Sequence, residues 1–237
     1  MMNLNQHRRA AATRTGLGRK AVRIGLLAGV GLTAVATAAT AQAAGPGSTA
    51  GTGHGVAIAS DSAHALAVPG QRTRFDDSFT VHQEGSVFAA AFHNQAEADS
   101  VGCTAAKPCR SVALSFQIVT MAGENIHLNA VNTSNAANRH CDGCQTLAGA
   151  YQFIVSTPRP FTLSGAQLRQ LADIHRRLDA LGRSTAPIAT VKAQADALAA
   201  QVTALLDTAA AHAPKGPGVD ALGVTAPHVT VHRMYTS

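Results

Sequence analysis

The stretch CRSVALSFQIV (Cys109–Val119) is nearly restated 35 residues later as CQTLAGAYQFIV (Cys144–Val155). Cys109 matches Cys144, Ala113 matches Ala148, Phe116 matches Tyr151, Gln117 matches Gln152, and Val119 falls opposite Ile154. Both phrases alternate with a period of two, the signature of a strand. Val112, Leu114, Phe116 and Ile118 share one face of the first, with Ala113, Ser115 and Gln117 on the other. In the second, Leu147, Gly149, Tyr151, Phe153 and Val155 oppose Ala148, Ala150 and Gln152. Each strand therefore has a bulky face and a small face that ends in glutamine. The two glutamines are expected to bond each other or the backbone where the sheet is covered.

Between the phrases runs ENIHLNAVNTSNAANRH (Glu124–His140), whose Asn125, Asn129, Asn132 and Asn135 are spaced by three and four. That spacing predicts a short polar-faced helix, although Asn is a modest helix former. Strand, helix and strand in this order predict a right-handed crossover with parallel strands. An antiparallel pairing is the alternative, particularly with the Phe88 strand inserted between the copies. In that upstream segment, Val87–His93, Phe88 and Phe92 are expected on one face of a strand.

After Pro158 and Pro160 the period lengthens. Ser164 and Gln167 fit a capping box, and Leu168, Leu171, Ile174, Leu178 and Leu181 form a helical stripe that Gly182 ends. A second helix opens near Pro187, with Ile188, Val191, Ala195, Leu198, Val202, Leu205 and Ala209 as a heptad seam. The short link predicts an antiparallel helical hairpin, with Ile188, Leu198, Val202 and Leu205 buried.

The fold class expected is α+β: a small sheet with a duplicated cysteine-anchored strand and crossover helix, then an antiparallel helical hairpin. The boundaries expected are a signal peptide over 1–43, a flexible linker over 44–78 and a disulfide-stapled sheet domain over 79–161. The helical hairpin follows over 162–213 and a loose tail over 214–237, in which His228 and His232 could lie in a short extended segment. The Gly-, Ser-, Thr- and Ala-rich run from Gly45 to about Gly70 suggests the linker, with His54 and His64 as solvated residues in it.

The leader carries Arg8, Arg9, Arg14, Arg19, Lys20 and Arg23 and no acid. An apolar run from Ile24 to about Ala39 follows, and Ala41-Gln42-Ala43 then offers a small-x-small cleavage site. A Sec-type signal and a secreted or cell-envelope location are expected. The alternative is an uncleaved anchor over 24–41, at the short end of the roughly 17–25 residues that span a bilayer. Those six cations come from a total of 19 Lys and Arg against 13 Asp and Glu, so the rest of the chain is formally neutral. The high pI belongs to the leader, and no clustered basic face argues for nucleic acid. No cofactor is expected; partners are unknown, with a protein or cell-envelope partner foreseen and membrane contact only through the leader.

Cys103, Cys109, Cys141 and Cys144 all fall in one short window. In an oxidising compartment an even, clustered set reads first as two disulfides, which would help a core without Trp. Local pairs, Cys103 with Cys109 and Cys141 with Cys144, respect the repeat. A crossed Cys109–Cys144 bridge closes a longer loop, worth about 4 kcal/mol against about 2.5 for the short ones in the chain-entropy model. Strain and register matter as much, so connectivity stays open, with the local pairs favoured. The metal alternative uses the four cysteines with His140 as zinc ligands; Cys141-Asp142-Gly143-Cys144 has the knuckle spacing, and Cys103-x5-Cys109 is looser. A redox CxxC is the third reading, but such motifs activate a thiolate at a helix N-terminus, whereas this one precedes a strand.

No HExxH, no GxSxG and no phosphate-binding glycine loop occurs, so no catalytic residue is nominated and no enzyme is expected. Asp76-Asp77 reads as a solvated turn, and His127 and His140 as satisfied or exposed imidazoles. Together, C-x-S-V-A-L-S-F-Q-I-V, the Asn-Ala-Val-Asn stretch, C-x-x-C-Q-T-x-A-x-A-Y-Q-F-I-V-S-T and the Leu-rich helix resemble an uncharacterised group of exported, mainly actinobacterial proteins. The likeness spans about 87–181, and some members carry a label suggesting a peptide zinc metalloprotease. It implies an exported domain and supplies no mechanism.

Overall fold

A computed structural model describes residues 55–214 and 228–236. The expected signal peptide, and the start of the expected linker, lie outside the described residues. Six strands and two helices follow in the order β1 (Gly55–Ala67), β2 (Thr73–Val101), β3 (Arg110–Ala122), β4 (His127–Arg139), β5 (Gln145–Thr157), α1 (Gly165–Gly182), α2 (Ile188–Ala211) and β6 (His228–Thr236). The class is α+β.

The two repeated phrases are β3 and β5, parallel neighbours in register. Ala113 sits beside Ala148, Phe116 beside Tyr151 and Gln117 beside Gln152. β3 also pairs in parallel with the first part of β2, and β5 pairs antiparallel with β6. The later part of β2 pairs in parallel with both β1 and β4. The long β2 thus belongs to two ladders, β2–β3–β5–β6 and β1–β2–β4. It changes from one to the other where its register shifts between Gln83 and Ser86, at Gly85 (φ 66°).

The ladders lie face to face. Ser111 Oγ donates to the carbonyl of Ala65 across the gap, Asn94 Nδ2 to that of Tyr151, and Asn132 Nδ2 to those of Ala150 and His232. Only small side chains let two sheets approach so closely. Ala63, Ala65, Ala96 and Ala98 from one ladder meet Ala113, Ala148 and Ala150 from the other, all buried. The chain therefore winds as a flattened coil, visiting the ladders alternately, and the 35-residue interval between Arg110 and its partner Gln145 is one winding. The turn from β3 to β4 needs Gly123 (φ 155°), where a Cβ would come within 2.3 Å of the carbonyl oxygen of Val87.

The bulky faces of β3 and β5 point the other way, into the main core. Val112, Leu114, Phe116, Ile118, Leu147, Tyr151, Phe153 and Val155 pack against Leu171, Ile174 and Leu178 of α1 and Val191, Leu198, Val202 and Leu206 of α2. α1 starts with the predicted capping box, Ser164 Oγ accepting from the Gln167 N–H while the Gln167 side chain accepts from the Ser164 N–H. The heptad seam is corrected in part: Leu198 and Val202 are buried, but Leu206 takes the inward place expected of Leu205, and Leu205 and Ile188 are only partly buried. A straight helix turns every 3.6 residues, so a seam written at 3.5 drifts off its face. Tyr235 ties β6 to this layer through its hydroxyl, which contacts Tyr151 and Asp196, and Lys192 lies 4.0 Å over its ring.

Four further expectations are corrected. The crossover helix over Glu124–His140 is the strand β4 (His127–Arg139). Its residues alternate as well as they follow a helical period: Ala130, Asn132 and Ala136 are partly buried while Asn129, Val131 and Asn135 are exposed. A parallel partner in β2 and an alanine layer beneath decide for the strand. The 44–78 linker is wrong from Gly55 onward, because β1 fills 55–67 and β2 begins at Thr73, ahead of the expected start of order at residue 79. In β1, Ala57, Ala59, Ala63, Ala65 and Ala67 are buried and Val56, Ile58, Ser60, Ser62, His64 and Leu66 are exposed. That alternation is easily missed because alanine contrasts weakly with serine. Phe88 and Phe92 do not share a face: an irregularity in the β1–β2 register falls at Phe88, which is half exposed, while Phe92 is buried. The tail is not loose throughout, since β6 occupies 228–236 and contains His228 and His232.

Candidate functional site

The cysteines occupy the turns at one end of the coil. Cys103–Cys109 bridges the turn from β2 into β3, and Cys141–Cys144 bridges the turn from β4 into β5. Because β3 and β5 are parallel neighbours, both turns reach the same end. The Gln145 N–H donates to the Cys109 carbonyl at 2.9 Å, and the Cys109 N–H donates to Cys144 Sγ at 3.1 Å. All four sulfurs lie within 4.8 Å of one another. Cys103 and Cys109 are buried against Ala67, and Cys141 and Cys144 are partly buried. Gly143 (φ 72°) supplies the left-handed residue that lets Cys141 and Cys144 fold back on each other.

His140 does not join the cluster. It is exposed with a left-handed backbone (φ 50°), and the group of donor atoms close enough together to hold a metal ion consists, among the described residues, of the four cysteines alone. The His140 part of the zinc alternative is thereby corrected, since its ring nitrogens do not lie among the sulfurs. His127, at the start of β4, is exposed. Asp76 and Asp77 are not a solvated turn but strand residues of β2 with partners. Asp76 Oδ2 accepts from the His64 N–H on the edge of β1 at 2.6 Å, and Asp77 Oδ2 lies 2.7 Å from His175 Nε2. His175 stacks on Phe79, with ring centroids 4.9 Å apart. His64 is exposed on β1 and lies 3.0 Å from Glu97.

Between the ladders runs a row of polar side chains that the sequence reading found only in part. Gln152 Nε2 donates to Gln117 Oε1 at 2.8 Å. Gln117 Nε2 donates to Asp61 Oδ2 at 2.6 Å and to the carbonyl of His93 at 3.0 Å. The same Asp61 oxygen lies 2.8 Å from His82 Nε2, so a chain of contacts runs His82–Asp61–Gln117–Gln152. Alongside it, Asn94 Nδ2 donates to Asn132 Oδ1 at 2.8 Å, and Asn94 Oδ1 accepts from Ser115 Oγ at 2.6 Å. Asp61, Asn94 and Asn132 are register partners on β1, β2 and β4. A signal for them exists in the sequence: Asp61-x-Ala63-x-Ala65, Asn94-x-Ala96-x-Ala98 and Asn132-x-Ser134-x-Ala136 are three statements of one phrase.

Electrostatics make His82–Asp61 the titrating element of this layer. Burial pushes the Asp61 carboxyl up, but hydrogen bonds from His82 and Gln117 outweigh it and hold it below its ordinary value. The hydrogen bond to Asp61 raises the His82 imidazole against the opposing effect of burial, and Glu84 adds to the rise. A raised histidine contributes stability that is complete below its unfolded pKa of about 6.5 and is lost as pH climbs through the folded value. A lowered carboxyl contributes above about 3.9 and loses its share as acid titrates it. The pair is therefore most stabilising between about pH 4 and 6.5. Urea melts of wild type and His82→Gln should differ most near pH 5.5 and converge as pH rises past 7 to 9. A stability difference that stays constant over that range would reject the assignment.

No protein-family model, curated protein or solved structure matches the chain. No helix among the described residues is long and apolar enough to cross a membrane.

Proposed function

We propose that the chain is an exported structural or binding module, stapled by its four cysteines. One observation carries this reading: the side-chain amides between the ladders, those of Asn94, Gln117, Asn132 and Gln152, donate across the gap and hold the ladders together. Asn94, Gln117 and Gln152 are fully buried and Asn132 is partly buried, and all four are bonded to other side chains and to carbonyls of the facing ladder. Groups engaged in this way lock a scaffold and are poorly placed to act on a substrate. β3 and β5 read as one duplicated cysteine-anchored strand, supported by their matched register, and α1 and α2 as a hairpin, supported by a link of only 183–187. The outer side of the β1–β2–β4 ladder offers His64, Glu97 and Asn135 in one cross-strand row and Ser62, Gln95 and Thr133 in the next, with His64, Ser62 and Asn135 exposed and the β2 residues and Thr133 partly so, a surface suited to a protein or cell-envelope partner.

Export rests on the basic and apolar leader, on the resemblance over 87–181, and on disulfides that suit an oxidising compartment. The second reading, a zinc-binding or thiol–disulfide-active module, is favoured by the convergence of the four sulfurs. Mass spectrometry of the secreted protein separates the two. The structural reading expects an N-terminus near residue 44, no free thiol under denaturing conditions, a gain of about two mass units per disulfide on reduction, and no stoichiometric metal. One equivalent of zinc with four free thiols would establish the metal module instead.

A further inference from the structure

The two disulfides do not stand apart, and their contact has chemical content. Cys109 and Cys144 immediately precede the paired residues Arg110 and Gln145 on neighbouring parallel strands. Strand neighbours lie about 4.8 Å apart, inside the Cα separation of roughly 4.4–6.8 Å that a disulfide spans. Each belongs to a different disulfide, and their sulfurs are within 4.8 Å. The Cys109 N–H already points at Cys144 Sγ, a contact that stabilises a thiolate there. The Cys141–Cys144 pair is also the more accessible, since Cys103 and Cys109 are buried.

We propose that the four cysteines form one exchange-coupled redox unit that reacts with small thiols and passes through an inter-strand Cys109–Cys144 bridge. The inference rests on the disulfide reading of these cysteines. A small thiolate, RS⁻, attacks Cys141 Sγ; the Cys141–Cys144 bond breaks, leaving Cys141–S–S–R and the Cys144 thiolate. That leaving group is favoured by the hydrogen bond from Cys109. The Cys144 thiolate attacks Cys109 Sγ, forming Cys109–Cys144 and expelling Cys103 as a thiolate, which takes a proton from water. A second RS⁻ attacks the R sulfur of the mixed disulfide, releasing RSSR and the Cys141 thiolate, which is protonated in turn. Overall, two RSH become RSSR, and the protein gains two electrons and two protons. Its reduced form holds one bridge between the windings, Cys109–Cys144, and two thiols, Cys103 and Cys141.

The purified protein equilibrated in reduced and oxidised glutathione at graded ratios, quenched with acid, alkylated and peptide-mapped, tests this directly. At intermediate ratios the two-electron-reduced species should be predominantly alkylated at Cys103 and Cys141, with Cys109 joined to Cys144. A species alkylated at Cys141 and Cys144 with Cys103–Cys109 intact would mean two independent disulfides and would overturn the proposal. The double variant Cys103→Ser/Cys141→Ser gives a second readout: with circular dichroism matching wild type, it should form Cys109–Cys144 in air. Two persistent free thiols in that folded variant would also overturn it. Free thiol in the protein as secreted would instead count against the disulfide reading, so the two failures are distinguishable.

Discussion

Asn94→Asp should destabilise the protein by about 3–5 kcal/mol at neutral pH, the cost of an uncompensated buried charge. The substitution changes shape hardly at all. It replaces an amide nitrogen that donates to Asn132 Oδ1 at 2.8 Å, to the Tyr151 carbonyl at 3.1 Å and to the Ser115 carbonyl at 3.4 Å. Asn94 is fully buried, so a carboxylate oxygen there would face three acceptors without water. The charged form is then strongly disfavoured, and the new carboxyl titrates above its ordinary range. Its penalty should shrink as the pH is lowered and the group takes up a proton, which can donate to one of those oxygens. Urea unfolding at pH 7 and at pH 5 measures both effects. Equal stability of variant and wild type at pH 7 would mean that the ladders do not meet as described.

Phe116→Ala should cost about 3–5 kcal/mol, because a fully buried aromatic leaves both lost transfer energy and a cavity. Phe116 is fully buried on β3, with ring centroids 4.2 Å from Tyr151, 5.7 Å from Phe79 and 5.9 Å from Phe153. These neighbours come from β2 and β5, so the ring packs against the strands on both sides of its own and under the helices. Phe116→Leu keeps most of the volume and should cost clearly less. In urea the midpoint should fall while the slope stays that of wild type. A loss below about 1 kcal/mol for the alanine variant would place Phe116 outside the core.

Much of the strand and helix pattern was legible because it rests on strong contrasts. The bulky and small faces of β3 and β5 differ by whole side-chain volumes, and their order along the chain is plain. Ser164 and Gln167 announce the start of α1 by a local bonding pattern that needs no tertiary partner. Glutamines on the small faces could be expected to meet, and Gln117 and Gln152 do.

β1 and β4 were harder to read because their inward faces carry alanine, serine and asparagine, which differ little from loop residues in hydrophobicity. The three Asp/Asn-x-small-x-Ala phrases encode that layer, but with no bulky residue to mark the period they pass for linker and helix. The same holds at the cysteine end. Spacing alone could nominate the four cysteines and leave His140 beside them, since a residue adjacent in sequence looks adjacent in space. The turn geometry then sends His140 into solvent.

What the amino-acid order determined by itself was therefore local: the period of each element, the cap of α1, and the grouping of four cysteines. Only the tertiary structure decided that β2 divides between two ladders, that residues 127–139 are a strand, and that Asp61, His82, Gln117 and Gln152 form one chain of contacts. The physical reason is that an ambiguous segment takes the conformation its partners can satisfy. A backbone of small residues gains little from its own side chains, and it becomes a strand where a neighbouring strand and an opposing alanine layer supply the hydrogen bonds and close contacts.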